Sequence, residues 1–159
     1  MTEASPLSSL LDIAEEHRQI NEMILRHQEA LIGLEFTQAL GSLEELSRRI
    51  SRHMRREEEI LLPAYVQAGA FPAAGHPDMM LDEHRRIDQS MKDLLAAARG
   101  LTLGAGVRRA VILLLERETR FKALLHQHSQ REEAFLFPRL RERWTTVPSA
   151  PENPRDKHP

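Results

Sequence analysis

Apolar residues return at steps of three, four and seven along four stretches of the chain, with glycine and proline between them. In the first stretch Leu10, Ile13, Ile20, Ile24 and Leu31 share one helical face, and His17 falls on the same face. Ser8 or Ser9, following Pro6, is the expected cap. The second stretch runs to about Val66 and aligns Leu43, Leu46, Ile50, His53, Glu57, Ile60 and Leu61. The third opens near Pro77 and Asp78, where proline suits a first turn, and aligns Met80, His84, Ile87, Met91, Leu94 and Leu95. The fourth begins around Gly106, ends near Trp144, and aligns Val111, Leu114, Phe121, Leu124, Leu125, His128, Glu132, Phe135 and Leu136. Pro63 and Pro138 remove a backbone donor near the ends of the second and fourth stretches, so each marks an end or a kink. The pattern predicts an all-α fold: an antiparallel, up-down-up-down four-helix bundle over residues 1–144. Residues 145–159 hold four prolines and almost no apolar residue, and are expected to form a disordered tail, with His158 outside any function.

Polar residues on those apolar faces repeat in two halves. The run Glu16-His17-Arg18-Gln19-Ile20 returns as Glu83-His84-Arg85-Arg86-Ile87. Residues 53–63, HMRREEEILLP, return as 128–138, HSQREEAFLFP. Each half is therefore a helical hairpin with one His on its first helix and His-x-x-x-Glu on its second. Residues at one height in an antiparallel hairpin lie equally far from its turn. The residue midway between His17 and His53 is Glu35, and the one midway between His84 and His128 is Gly106; both fall at expected turns. A first turn at Gly41 and Ser42, where Ser42-x-x-Glu45 resembles a capping box, would leave the two His roughly 20 Å out of register at about 1.5 Å per residue. The turn is placed at 33–37 instead. Residues four apart stand one above the other on a helix. His53 with Glu57, and His128 with Glu132, can thus point a nitrogen and a carboxylate into one cavity, with His17 and His84 facing them. Four imidazoles and two carboxylates suit iron, and less specifically zinc or manganese. Bundle cores are a known setting for two-metal carboxylate sites.

Composition narrows the chemistry. The chain has 159 residues, enough for one domain, and a net charge of −2, which argues against a nucleic-acid or membrane partner. It has no cysteine, so any metal is held by nitrogen and oxygen. No signal peptide is expected, no apolar run nears the roughly 20 residues of a membrane span, and there is no Gly-rich phosphate loop. A cytoplasmic location is expected. The arginines of residues 48–56 lie between acidic runs at 44–45 and 57–59 and read as a solvated helix exterior.

These residues resemble the hemerythrin family in its bacterial HHE branch, from about His17 to Pro138. The resemblance implies two iron ions joined by an oxo or hydroxo bridge. His17 and His53 would hold one iron, His84 and His128 the other, and Glu57 and Glu132 would bridge them. Glu58 and Glu133 would lie outside the ligand set or on the surface, although some members use the equivalent of Glu58 as a ligand. Oxygen-carrying hemerythrins have a further His one turn before the third-helix His. Met80 stands there in this chain, so the site looks like the four-His, two-Glu type of di-iron repair proteins and other bacterial relatives. The expected ligand is a small diatomic molecule or a peroxide, sensed, stored or scavenged. The alternatives are turnover of peroxide or nitric oxide, iron donation for repair, and a metal that only staples the bundle.

The remaining histidines have ordinary expectations. His27 and His126 point away from the ligand face and read as surface. His76 reads as a helix cap or solvent-facing group that could reach a metal position. Met80, Phe121, Phe135, Ile24 and Leu124 are expected to line the ligand pocket.

Overall fold

Helix α1 (Pro6–Ile32) and helix α2 (Phe36–Arg56) form the first hairpin. A wide π-turn at Glu57–Leu61 carries α2 into α3 (Leu62–Gln67). Helix α4 (Pro77–Arg99) and helix α5 (Val107–Arg131) form the second hairpin, and a second π-turn, Glu132–Leu136, carries α5 into α6 (Phe137–Thr145). The computed structural model describes residues 6–145; most of the expected tail lies outside them, as do residues 1–5. The four long rods make the expected all-α bundle: α1 packs on α2 and α5, and α4 packs on α2 and α5.

The first turn falls where the histidine register requires it. Leu34 adopts the left-handed conformation, φ 59°, and the amide of Glu35 donates to Ala30 O at 2.9 Å while that of Leu34 donates to Leu31 O at 3.0 Å. This is a Schellman ending, which supplies donors to the last carbonyls of α1. Gly41 and Ser42 lie inside α2, so Ser42 caps nothing. The helix already includes Pro6, ahead of the expected serine cap. His76 caps α4, its Nδ1 accepting from the Asp78 amide at 3.3 Å, which is one of its two expected roles.

The prolines explain the π-turns. An α-helix leading into Pro63 would drive the proline ring against the Glu59 carbonyl. The widened turn avoids this: the Leu62 amide reaches back five residues to Glu57 O, and the Phe137 amide reaches Glu132 O in the same way before Pro138. Each π-turn adds one residue to the helical phase. Ile60, expected inside, is therefore 56% exposed, while Leu61, Leu62 and Tyr65 turn inward. The chain after Gln67 returns over this end of the bundle. Tyr65 Oη donates to Gly75 O at 2.9 Å, and a Cβ on Gly75 would stand 2.8 Å from the Phe135 ring, so only glycine fits there.

Two apolar clusters fill the bundle. The larger gathers Ile20, Ile24, Leu43, Leu46, Ile50, Ile87, Met91, Leu114 and Phe121. The smaller gathers Ile13, Leu61, Leu62, Tyr65, Met80, Leu136, Phe137 and Leu140. Along each rod the paired polar residues fall between the two clusters. His17 lies between Ile13 and Ile20, and His84 between Met80 and Ile87. The core is thus an apolar stack with this polar layer set into it, and His27 with Glu118 is buried apart from that layer.

Candidate metal centre

That layer holds all six residues the repeat singled out. His53, Glu57, His84, His128 and Glu132 are buried, and His17 nearly so. The four imidazoles turn Nε2 inward. His17 Nε2 lies 3.0 Å from His53 Nε2 and 3.2 Å from Glu132 Oε2. His84 Nε2 lies 3.3 Å from His128 Nε2. Glu57 spans the two pairs: Oε1 is 2.7 Å from His53, and Oε2 is 3.0 Å from His84 and 3.5 Å from His128. Glu132 Oε2 also stands between the pairs, 3.7 Å from His128. Two groups of converging donor atoms result, His17-His53-Glu57-Glu132 and Glu57-His84-His128, joined through Glu57.

The outward nitrogens fix the tautomers. His53 Nδ1 donates to Glu16 Oε2 at 2.8 Å, His84 Nδ1 to Glu58 Oε1 at 2.7 Å, and His128 Nδ1 to Glu83 Oε2 at 3.2 Å. In a neutral ring the Nε2 lone pair then faces inward, which is the state a metal ligand needs. Glu16 and Glu83 are the acids of the repeated Glu-His pair. Each serves the His across the hairpin and not its sequence neighbour, a function the sequence reading did not assign. Glu58, expected to be a solvated or outer group, holds His84. His17 differs: its Nδ1 is buried with no hydrogen-bond partner among the described residues, and its ring stacks on Phe137.

The electrostatics call for positive charge. Both oxygens of Glu57 and of Glu132 are buried without a hydrogen bond; the ring nitrogens stand at ion-pair distance but off the direction a hydrogen bond requires. Burial pushes the Glu57 carboxyl up, but the imidazoles of His128, His53 and His84 outweigh it and hold the group well below the usual carboxylate range. Glu132 is raised, by burial first and then by the Glu57 charge. Burial pulls His53 down, yet Glu16 and Glu57 lift it to about 9; the same opposition, with Glu57 and Glu83, lifts His128 to about 10. Without a cation this layer holds protons where lone pairs and carboxylates converge. The donor set fits a metal ion, whose charge offsets two buried carboxylates and whose binding displaces those protons.

The family model for the hemerythrin HHE cation-binding domain matches residues 10–117. The chain belongs to this hemerythrin HHE family. The matched stretch contains His17, His53, Glu57 and His84 and ends before His128 and Glu132, which the second hairpin brings to the same layer. No curated protein and no solved structure matches the chain. The HHE domain carries a metal-binding site, and among the described residues no helix is long and apolar enough to cross a membrane.

A cavity of about 150 Å³ opens beside the site. His17, His53 and His128 form its floor, and Ile20, Ile50, Met54, Ile87 and Leu125 form its walls. Asn21, His126, Ser129 and Glu133 give it a polar outer side. The expected lining was different. Met80 and Phe135 belong to the small cluster and Ile24, Phe121 and Leu124 to the large one, because the cavity lies along the α1–α5 side. His126 is exposed, as expected. His27 is not: it is 1% exposed, donates from Nδ1 to Ala39 O at 2.7 Å, and lies 2.8 Å through Nε2 from buried Glu118 Oε1.

Proposed function

We propose that this HHE domain holds two iron ions and that the pair binds or reacts with a small oxidant or gas, namely oxygen, nitric oxide or peroxide, in sensing, storage or scavenging. His17 and His53 would hold one iron, His84 and His128 the other, with Glu57 and Glu132 shared between them. The observation that carries the reading is Glu57, whose two oxygens face two separate imidazole pairs in a buried layer. A ferrous pair in this setting supplies electrons and open coordination positions to a small ligand.

The protein's own part is positioning and exclusion. Carboxylates at Nδ1 of three histidines keep Nε2 aimed inward. The cavity has room for a few heavy atoms and is well below the roughly 300 Å³ and more of ordinary small-molecule sites. Its aliphatic walls favour an uncharged diatomic. A second reading, turnover of peroxide or nitric oxide, gains support from the polar outer side, where Ser129, His126 and Glu133 bring exchangeable protons near the site. The near-neutral charge supports a protein without nucleic-acid or membrane partners, and the proposal places it in the cytoplasm.

Reacting the reduced, iron-loaded protein with each gas and with hydrogen peroxide separates the readings. A stable, reversible adduct is the result expected for a binding protein. Sustained loss of substrate over many turnovers selects the enzyme. No reaction with any of the three leaves the metal a structural staple and defeats both.

A further inference from the structure

We propose that Arg56 and Arg131 are positioning residues for the metal centre, each acting through the carboxylate that orients a ligand histidine. The proposal rests on the two-metal reading and adds a layer outside it. Arg56 Nη1 donates to Glu16 Oε1 at 2.8 Å, while the other oxygen of Glu16 accepts from His53. Arg131 Nε donates to Glu83 Oε1 at 3.0 Å with Nη2 at 2.9 Å, while the other oxygen of Glu83 accepts from His128. In both hairpins one carboxylate oxygen takes a guanidinium and the other an imidazole; Glu83 Oε1 also accepts from Gln127 Nε2 at 3.3 Å, a contact Glu16 lacks among the described residues.

The sequence repeats the device. Each arginine stands three residues after the His it serves, one turn along the same helix, and each glutamate immediately precedes the ligand His of the facing helix. At the two intervening positions the copies differ, Met54-Arg55 against Ser129-Gln130. The match at Arg56 and Arg131 is thus tied to the contact and not to a generally basic surface. A guanidinium presents rigid, directional donors, so it fixes the plane of the carboxylate as well as its charge. With that plane fixed, the second oxygen holds the ring hydrogen at Nδ1 and leaves Nε2 as the metal-facing lone pair. Arg131 also contacts the Ala74 carbonyl and is only 12% exposed, against 36% for Arg56, so the second hairpin has the firmer support.

The test compares R56Q, R131Q, E16Q and the double variant R56Q/E16Q with the wild-type chain. Each is loaded with ferrous iron, and metal release to a competing chelator is followed. Each arginine variant should hold iron about tenfold or more weakly, R131Q more so than R56Q. R56Q should leave the melting temperature of the metal-free protein unchanged, which a purely structural role would not. R56Q/E16Q should be no weaker than E16Q alone, because the arginine acts through Glu16. Wild-type iron retention in R56Q, or additive losses in the double variant, would overturn the proposal. If R131Q fails to fold through loss of its Ala74 contact, R56Q alone decides. A wild-type chain that takes up no iron defeats the two-metal reading itself; a chain that loads two and ignores Arg56 defeats only this inference.

Discussion

At the scale of the residue, the metal layer is a set of imidazoles with unequal support. His84 is held by Glu58, and the repeat places Glu133 at the corresponding position for His17, yet His17 Nδ1 has no partner among the described residues. The two outer glutamates therefore differ in consequence. Glu58→Gln should weaken metal binding about tenfold, whereas Glu133→Gln should leave it unchanged; chelator competition on the loaded proteins measures both. Equal losses would mean that the repeat's symmetry, and not the observed contact, governs the site. The six inward residues could be read from the sequence because i, i+4 spacing and a twofold repeat constrain them together. The supporting residues could not. Glu16 and Glu83 also repeat, but their partners sit across a hairpin at a separation no local pattern encodes. His27 was misplaced for the same reason: Glu118, the group that makes its burial tolerable, is 91 residues away.

At the scale of the element, the two π-turns break a regular helix for a local cause, and a buried long-range clasp ties the rods together. The π-turns precede Pro63 and Pro138 and begin at Glu57 and Glu132. Proline predicts a disturbance, and helical periodicity read through it loses its phase by one residue, which is why Ile60 points outward. The other feature is the buried clasp of His27, Ala39, Glu118 and Gln28, which ties α1 to α2 and α5 at the far side of the large apolar cluster. Removing the carboxylate leaves a buried imidazole nitrogen unsatisfied. Glu118→Ala should destabilise the fold by about 1–3 kcal/mol, seen in denaturant unfolding, without changing the amount of metal bound per folded chain. Loss of metal at unchanged stability would show that this clasp communicates with the site. The hairpin turn at Gly33 and Leu34 was predictable because the histidine register excludes the alternative at Gly41.

At the scale of the whole molecule, a polar layer lies between two apolar clusters, and its charge state couples to the fold. In the metal-free protein His53 and His128 are lifted to about 9 and about 10 from an ordinary value of 6.5. Their protonated forms therefore stabilise the folded state fully below about pH 6.5, and that contribution is lost as pH rises through 9 and 10. The melting temperature of chelator-stripped protein should fall between pH 6.5 and 10; a flat or rising profile would contradict the proton-filled layer. The loaded protein should respond in the opposite sense. Acidification towards pH 5 protonates the imidazoles and should release metal, seen as metal lost on desalting. The bundle follows from apolar periodicity and its two hairpins from the internal repeat and histidine register, whereas the layer's electrostatics depend on which side chains end up facing one another. The most direct test of the central claim is the metal content of the purified, iron-reconstituted chain, measured beside Glu57→Ala. Two irons per wild-type chain, with a marked loss in Glu57→Ala, is the predicted result. A single metal per chain, or two that remain when Glu57 is removed, would contradict a shared carboxylate between two imidazole pairs.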